Sequence, residues 1–391
     1  MATFYKLLRF GRCCVFLNKN VNNTIGKSRC FRTVVEQPKP KNFLKISLIS
    51  ASIGVLVGTG YSFKKISQER KNIALEGTET QIELLKYKPP ITPSRKIVFP
   101  TDTTGLKLTL YQYQTCPFCC KVRVFLDYYG ISYDVVEVDP VLRNEIKWSN
   151  YKKVPILLAK VDKGYQPLND SSMIVSLLSS YLTEKTQEMN ELAKYYPIIA
   201  MHDDDGKFKH EVVNKYFLMY GSSIPKDRTM NDIVEERKWR KWADDVLVHV
   251  LSPNVYRSLD EAYQTFNWFS KVGQWEEYFP AWERVIMINV GACAMWLISK
   301  RLKKRHHLKH DVRESFYDEV NYWLDGIRAG GGQFMGGDNP NLSDLAVYGI
   351  LKSIEGCEAF RDLQKNTDVS VWYNAMREKV DGHAGSEFIN G

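Results

Sequence analysis

Apolar and polar positions alternate through Leu106, Leu108 and Leu110, the period of a half-buried strand, and then change to the helical spacing of Val122, Phe125, Leu126 and Tyr129. The pattern predicts a strand, a turn and a helix in immediate succession. A second β-rich segment, Tyr133 to Asp139, is stopped by Pro140, and Val154-Pro155-Ile156-Leu157-Leu158 reads as a buried strand entered through a proline. The polar cluster Leu168-Asn169-Asp170-Ser171-Ser172 precedes Ile174, Leu177, Leu178 and Tyr181, so another helix starts there. After about residue 185 strand signals fade. Residues 185–230, with Asp203-Asp204-Asp205-Gly206, read as a connection carrying an exposed loop. Asp232 to Val250 predicts an amphipathic helix through Ile233, Trp239, Trp242 and Val246, ended by Ser252-Pro253. Asn341 followed by Asp344, ahead of Leu345, Val347, Ile350 and Leu351, predicts a buried capping box.

Two longer apolar runs test for membrane spans. Ile46 to Phe63 holds 18 uncharged residues between Lys45 and Lys64-Lys65, close to the ~20 that a single span requires. Ser50, Gly54 and Gly58 share one face of it, a spacing that permits close helix pairing. Val285 to Ile298 is 14 residues long and interrupted by Asn289; that is short for a span, so a core helix is the expectation. The basic run Lys300 to His307 follows. A solvated basic face is its default reading, with attraction to anionic lipid or binding of carboxylates such as a fatty-acid head or haem propionates as alternatives.

These patterns divide the chain into a basic leader (1–41), a single membrane anchor (42–65), a proline-containing linker (66–100), an α/β thioredoxin-like module (101–184) and an all-α module (185–391). The leader contains nine Lys or Arg and one acid, Glu36. That acid-poor composition points to mitochondrial import, the alternative being a basic tail. Cys13-Cys14 offers a weak palmitoylation signal. Lys88-Pro89-Pro90-Ile91-Thr92-Pro93 stiffens the linker.

Composition narrows the classes. With 391 residues and 44% hydrophobic positions the chain exceeds one ordinary domain and can bury real cores. Its eight cysteines are scattered rather than concentrated in a small domain, which excludes a secreted disulfide scaffold. Cys293 and Cys357 lie in apolar helical surroundings that predict inert thiols. The net charge of +9 is not accompanied by a nucleic-acid-binding module.

The candidate chemistry sits at Tyr111-Gln112-Tyr113-Gln114-Thr115-Cys116-Pro117-Phe118-Cys119. Pro117 fits the first helical position, which puts Cys116 at the cap, facing unpaired amides and the positive end of the helix dipole. That placement favours thiolate. Cys119, one turn deeper, is a resolving or a spectator thiol. A zinc site lacks the remaining ligands at a suitable spacing, so no metal is expected; a purely structural pair is the other alternative. A proline at the position of Pro155 is expected to be cis and to leave the backbone of Val154 free to pair with a thiol peptide. The helix start at Asp170 and Ser171 suits a ligand carrying a carboxylate and an amino group together, as glutathione does at its γ-glutamyl end; simple N-capping is compatible with this.

These stretches, with Tyr151 to Leu157, Leu251 to Arg257, Leu297 to Lys303, Phe334-Met335-Gly336-Gly337 and Pro340 to Gly349, resemble the membrane-associated prostaglandin E synthases of type 2, a branch of the glutathione-transferase superfamily. The resemblance covers about residues 100 to 380. It implies a thioredoxin-like module followed by a glutathione-transferase-like helical module, with Cys116 as the essential thiol and Tyr113 as its supporting hydroxyl. It further implies glutathione or another thiol held by Val154, Asp170 and Ser171, with Phe118 close to the pocket. The implied reaction is isomerisation of the lipid endoperoxide prostaglandin H2 to prostaglandin E2. Some members are described with glutathione plus haem, which break the same substrate into 12-hydroxyheptadecatrienoic acid and malondialdehyde. Golgi or mitochondrial membranes and a released soluble form are also implied; a homodimer is compatible with the chain. A glutaredoxin- or omega-transferase-like thiol reductase and a non-catalytic haem or glutathione binder are the rival classes.

Overall fold

The computed structural model describes residues 83–184, 187–202, 208–220 and 228–390. Contacts divide the chain into two units, 1–69 and 70–391. The leader, the apolar run 46–63 and the Asp203–Gly206 loop lie outside the described residues.

The α/β module is a five-stranded sheet in the order β1-β3-β2-β4-β5. Its strands are β1 (Arg95–Ile97), β2 (Leu108–Gln112), β3 (Tyr133–Glu137), β4 (Ile156–Val161) and β5 (Gly164–Asn169). β2 and β3 run parallel, joined by helix α1 (Pro117–Tyr128), and β4 and β5 add antiparallel on the other side of β2. β2 is buried at every residue, Thr109 and Gln112 included, and Leu106 lies before it, so the half-buried strand expected from the alternation is corrected to one covered on both faces. Helix α2 (Ser171–Thr183) follows β5 directly.

The end of the expected linker belongs to this sheet. Leu85 exchanges two backbone hydrogen bonds of 2.8 Å with Tyr165, and β1 pairs with β3. Prolines 89, 90 and 93 stop helix formation between these contacts without preventing them.

The stretch expected to be mere connection also carries structure: α3 (Met189–Ala193) and an antiparallel pair, β6 (Ile198–His202) with β7 (Phe208–Val212). The helical module then comprises α4 (Met230–Trp242), α5 (Val248–Val255), α6 (Leu259–Val272), α7 (Trp275–Tyr278), α8 (Ala281–Arg305), α9 (Val312–Gly330), α10 (Leu342–Lys352), α11 (Glu358–Asn366), α12 (Val369–Asp381) and α13 (Ser386–Asn390). The helix expected over 232–250 departs from its pattern twice. A π-helical turn, Ala243–Leu247, separates α4 from α5, and α5 continues through Pro253 to Val255.

The two modules meet mainly where α10 lies along α1. Gly349 makes that approach possible: a Cβ there would stand 2.8 Å from the Lys121 Cα and 2.9 Å from its backbone nitrogen. The predicted capping box is formed at the start of α10, where Asn341 and Asp344 cap each other. Asp344 is fully buried and also accepts hydrogen bonds from the Met335 and Gly336 amides and the Trp372 indole, at 3.0, 3.1 and 3.0 Å.

The expectation of a core helix at 285–298 does not hold. α8 is 25 residues long, enough by length and composition to cross a membrane, and it packs on α5 and α6 through one face only. Met287, Ala292 and Ser299 are buried, whereas Val285, Val290 and Leu297 are 59%, 60% and 59% exposed. The sequence misleads because the exposed face is apolar, with Ile286 and Ile298 beside these residues, while the covered face includes Glu283 and Ser299, so hydropathy does not tell which side is covered.

Candidate active site at the Cys116 turn

Gln112 ends β2, three residues turn, and α1 begins at Pro117 with Cys116 as its N-cap in extended geometry. Residues behind the turn hold it in place. Arg123 donates to the Gln114 carbonyl at 2.6 Å, to the Gln112 Oε1 at 2.5 Å and to the Cys120 Sγ at 2.9 Å. Arg95 bonds the Gln114 side chain at 2.6 Å and Glu137 at 2.7 Å; Gln112 bonds both as well, at 2.9 and 2.7 Å. A network satisfied at this many points rigidifies the backbone that presents the thiol.

Cys116 is half-buried and Cys119 fully buried. A hydrogen bond from the Cys119 thiol lowers the Cys116 pKa; burial opposes the shift, and the Cys119 and Phe118 amides and the Arg123 charge add to it. No side-chain capping bond closes on the sulfur, so those amides act from the helix start as nearby dipoles. Burial, followed by the Cys116 sulfur itself, pushes Cys119 well up. Cys120 is also buried, and burial raises its thiol. The chemistry of the group therefore concentrates on one sulfur.

Tyr113, Tyr151 and Val154 pack together on the cluster around Tyr111. Burial pushes Tyr113 up to about 12, with Arg143 pulling the other way and both sulfurs pushing further. It is therefore a neutral O–H donor at physiological pH. Tyr151 is raised by burial, then by the Asp170 carboxylate and the two sulfurs, which places it between the thiol and the second helix start. Tyr256, from the helical module, is buried and raised by burial, with the Cys357 and Cys116 sulfurs adding to it.

The Val154–Pro155 bond is cis, as expected, and Val154 is half-buried beside it. At the start of α2 Asp170 adopts φ 74°, a left-handed conformation that costs an aspartate of order 1 kcal/mol or more. Its Oδ1 accepts from the Ser172 and Met173 amides at 2.9 and 3.3 Å, and its Oδ2 lies 3.8 Å from the Lys215 Nζ. Ser171 is buried beneath it, and the Asn169 Oδ1 next to it is buried with no hydrogen-bond partner among the described residues. Phe118 is half-buried in the first turn of α1, with the Lys121 Nζ 5.8 Å from its ring centroid.

Sequence reasoning did not single out the individual contributions of Tyr151, Arg143, Tyr256, Arg123 or the Lys121 contacts. Only Lys121 carried a usable signal, since it stands four residues before Phe125 on a helix with few polar positions. His249 stacks on His306 with ring centroids 4.5 Å apart. Burial pushes the Cys357 thiol up to about 12, which fits the inert thiol expected there. Among the described residues no cluster of His, Cys, Asp or Glu is suited to hold a metal ion.

The glutaredoxin family model matches residues 108–161, the segment from β2 through β4 that carries the cysteine turn and the cis-proline. Prostaglandin E synthase 2 of Mus musculus is 46% identical over 297 residues, covering 74% of each chain. The Danio rerio prostaglandin E synthase 2 is 47% identical over 277 residues, covering 70% of this chain and 71% of its own. This chain belongs to the prostaglandin E synthase 2 family. Among solved structures, glutathione transferase F7 of Populus trichocarpa is 13% identical with a TM-score of 0.40, over 73% of this chain and all of that one.

Proposed function

We propose that this member of the prostaglandin E synthase 2 family isomerises prostaglandin H2 to prostaglandin E2 at Cys116. The observation that carries the reading is geometric: Cys116 is half-buried at the N-cap of α1, while Cys119 and Cys120 beside it are buried, and burial raises both of those thiols. In the reaction the Cys116 thiolate bonds to the endoperoxide oxygen on carbon 9, and the O–O bond breaks with its electron pair on the carbon 11 oxygen. That alkoxide takes a proton and becomes the hydroxyl. Loss of the proton on carbon 9 then forms the ketone, and the S–O pair returns to sulfur as thiolate. One proton is gained and one lost, so the step is an isomerisation that needs no external oxidant. Tyr113, neutral because its pKa lies near 12, donates to the developing alkoxide. A donor so placed is worth on the order of 3 kcal/mol of barrier.

The residues around Asp170 fit glutathione. Asp170 offers Oδ2 to an ammonium, the orphaned Asn169 Oδ1 calls for a donor, and the start of α2 with Lys215 suits a carboxylate. Val154 supplies backbone for the peptide portion. Bound there, glutathione supplies a second thiol that keeps Cys116 reduced. The apolar run 46–63 anchors the chain in a membrane, and the basic, acid-poor leader supports a mitochondrial destination over the Golgi.

The test is incubation of the detergent-solubilised full chain with prostaglandin H2, with and without glutathione and with and without added haem. Prostaglandin E2 formed without haem is expected. Malondialdehyde and 12-hydroxyheptadecatrienoic acid as the principal products would replace this reading with haem-dependent cleavage; exchange with a glutathionylated peptide and no endoperoxide turnover would replace it with a thiol reductase.

A further inference from the structure

Asp244 lies 123 positions from Lys121 and 72 from Ser172, yet it touches both halves of the site. It sits in the π-helical turn Ala243–Leu247. The wider turn interrupts the regular α-helical progression, a feature that often marks a functional position. Its side chain is 11% exposed. The Oδ1 pairs with the ammonium of Lys121, which is buried in the second turn of α1. The Oδ2 accepts from the Ser172 hydroxyl at 2.6 Å and from the Tyr216 hydroxyl at 3.1 Å. Lys121 also donates to the Ser172 hydroxyl at 2.8 Å, closing a triangle. Arg240, from the same helix as Asp244's turn, adds bonds to the Ser172 carbonyl at 3.0 Å and the Ser176 hydroxyl at 2.7 Å.

Lys121 belongs to the helix that Cys116 caps. Ser172 belongs to the helix that Asp170 caps, and its own amide bonds the Asp170 Oδ1. One carboxylate of the helical module therefore fixes two helix starts of the other module against each other. A γ-glutamyl tripeptide thiol reaches across that interval from the sulfur on its central cysteine to its γ-glutamyl end, whereas a two-carbon thiol meets only the first helix start.

We infer that Asp244 is a positioning residue, which holds the Cys116 and Asp170 helix starts at the separation a γ-glutamyl tripeptide thiol requires, and so sets the preference for glutathione over small thiols. The inference rests on the glutathione reading of the Asp170 site. A buried, paired carboxylate could instead serve the fold alone, and the two roles differ in what they do to thiol selectivity.

The experiment compares glutathione with 2-mercaptoethanol as the thiol supporting prostaglandin H2 turnover by the full chain, in wild type, Asp244→Asn and Ser172→Ala. Ser172→Ala leaves the Lys121–Asp244 pair and the Arg240 bonds to α2 intact and removes only the hydroxyl that ties α2 to Asp244 and Lys121, so it decides the matter if Asp244→Asn fails to fold. The expected result is a KM for glutathione raised about tenfold, the scale of one lost charge-assisted hydrogen bond, with the KM for 2-mercaptoethanol and the melting temperature of Ser172→Ala near wild type. Equal losses with both thiols, or no change with either, would overturn the inference. A wild type that shows no preference for glutathione overturns the glutathione reading itself, and the inference with it.

Discussion

The Cys119 thiol lies against the Cys116 sulfur, and the two acidities part: hydrogen bonding from Cys119 lowers Cys116, while burial first, and then the same contact, raises Cys119. Removing the donor should reverse the first effect. Cys116 thiolate forms as pH rises through its pKa, so iodoacetamide trapping of Cys116 should show a midpoint below the ~8.5 of a free cysteine. In Cys119→Ala that midpoint should move upward. Mass-spectrometric alkylation profiles across pH 5 to 10 check this; coincident wild-type and variant curves would remove Cys119 from the account.

Tyr113→Phe separates donation from packing, because the ring stays and only the hydroxyl leaves. Turnover of prostaglandin H2 should fall roughly 100-fold, the scale for deleting one donor to a developing oxyanion, with the unfolding midpoint little changed. Since the Tyr113 pKa lies near 12, no alkaline loss of wild-type activity should trace to it below about pH 10. Steady-state kinetics across that range test both statements.

The contact between modules carries a pH dependence of its own. Glu283, buried at the start of α8, has its pKa raised by burial, then by a hydrogen bond with the Asp139 carboxyl beyond β3 and by that group's charge. A carboxyl raised on folding contributes stability below its unfolded pKa, and the contribution is lost as pH rises through the folded value. Wild-type melting temperature should therefore contain a declining component above about pH 4.5. Glu283→Gln should flatten it and melt higher at pH 7. Thermal scans from pH 4 to 8 read this directly, and parallel curves would contradict it.

Gly349 is required by the close approach of α10 to α1, not by its backbone conformation. In Gly349→Ala the new methyl meets Lys121 backbone atoms, which cannot swing aside as a side chain would. A loss of about 1–3 kcal/mol is expected, measured by denaturant unfolding.

The α/β module was legible because its signals are local: Leu108 and Leu110 alternate, Pro117 starts a helix, Asp170 caps one, and Pro155 precedes a strand. The capping box at Asn341 and Asp344 was legible for the same reason. Contacts made across the modules were not. Neither Asp244 nor its pairing with Lys121 was singled out, because a contact over 123 positions leaves no local trace. α8 failed differently: Val285 and Val290 are apolar yet exposed, and a hydropathy pattern records composition without recording which face is covered. Strand β1 was missed because three residues between prolines and Thr101 are too short to show a period.

The most direct test of the central claim is prostaglandin E2 formation by purified Cys116→Ser, compared with wild type at equal folded concentration. Serine keeps the shape of the helix cap and removes the ionisable sulfur. The account predicts that the variant keeps its circular dichroism and melting temperature while isomerase turnover drops to the uncatalysed rate. A folded Cys116→Ser protein that turns over prostaglandin H2 at the wild-type rate would contradict it.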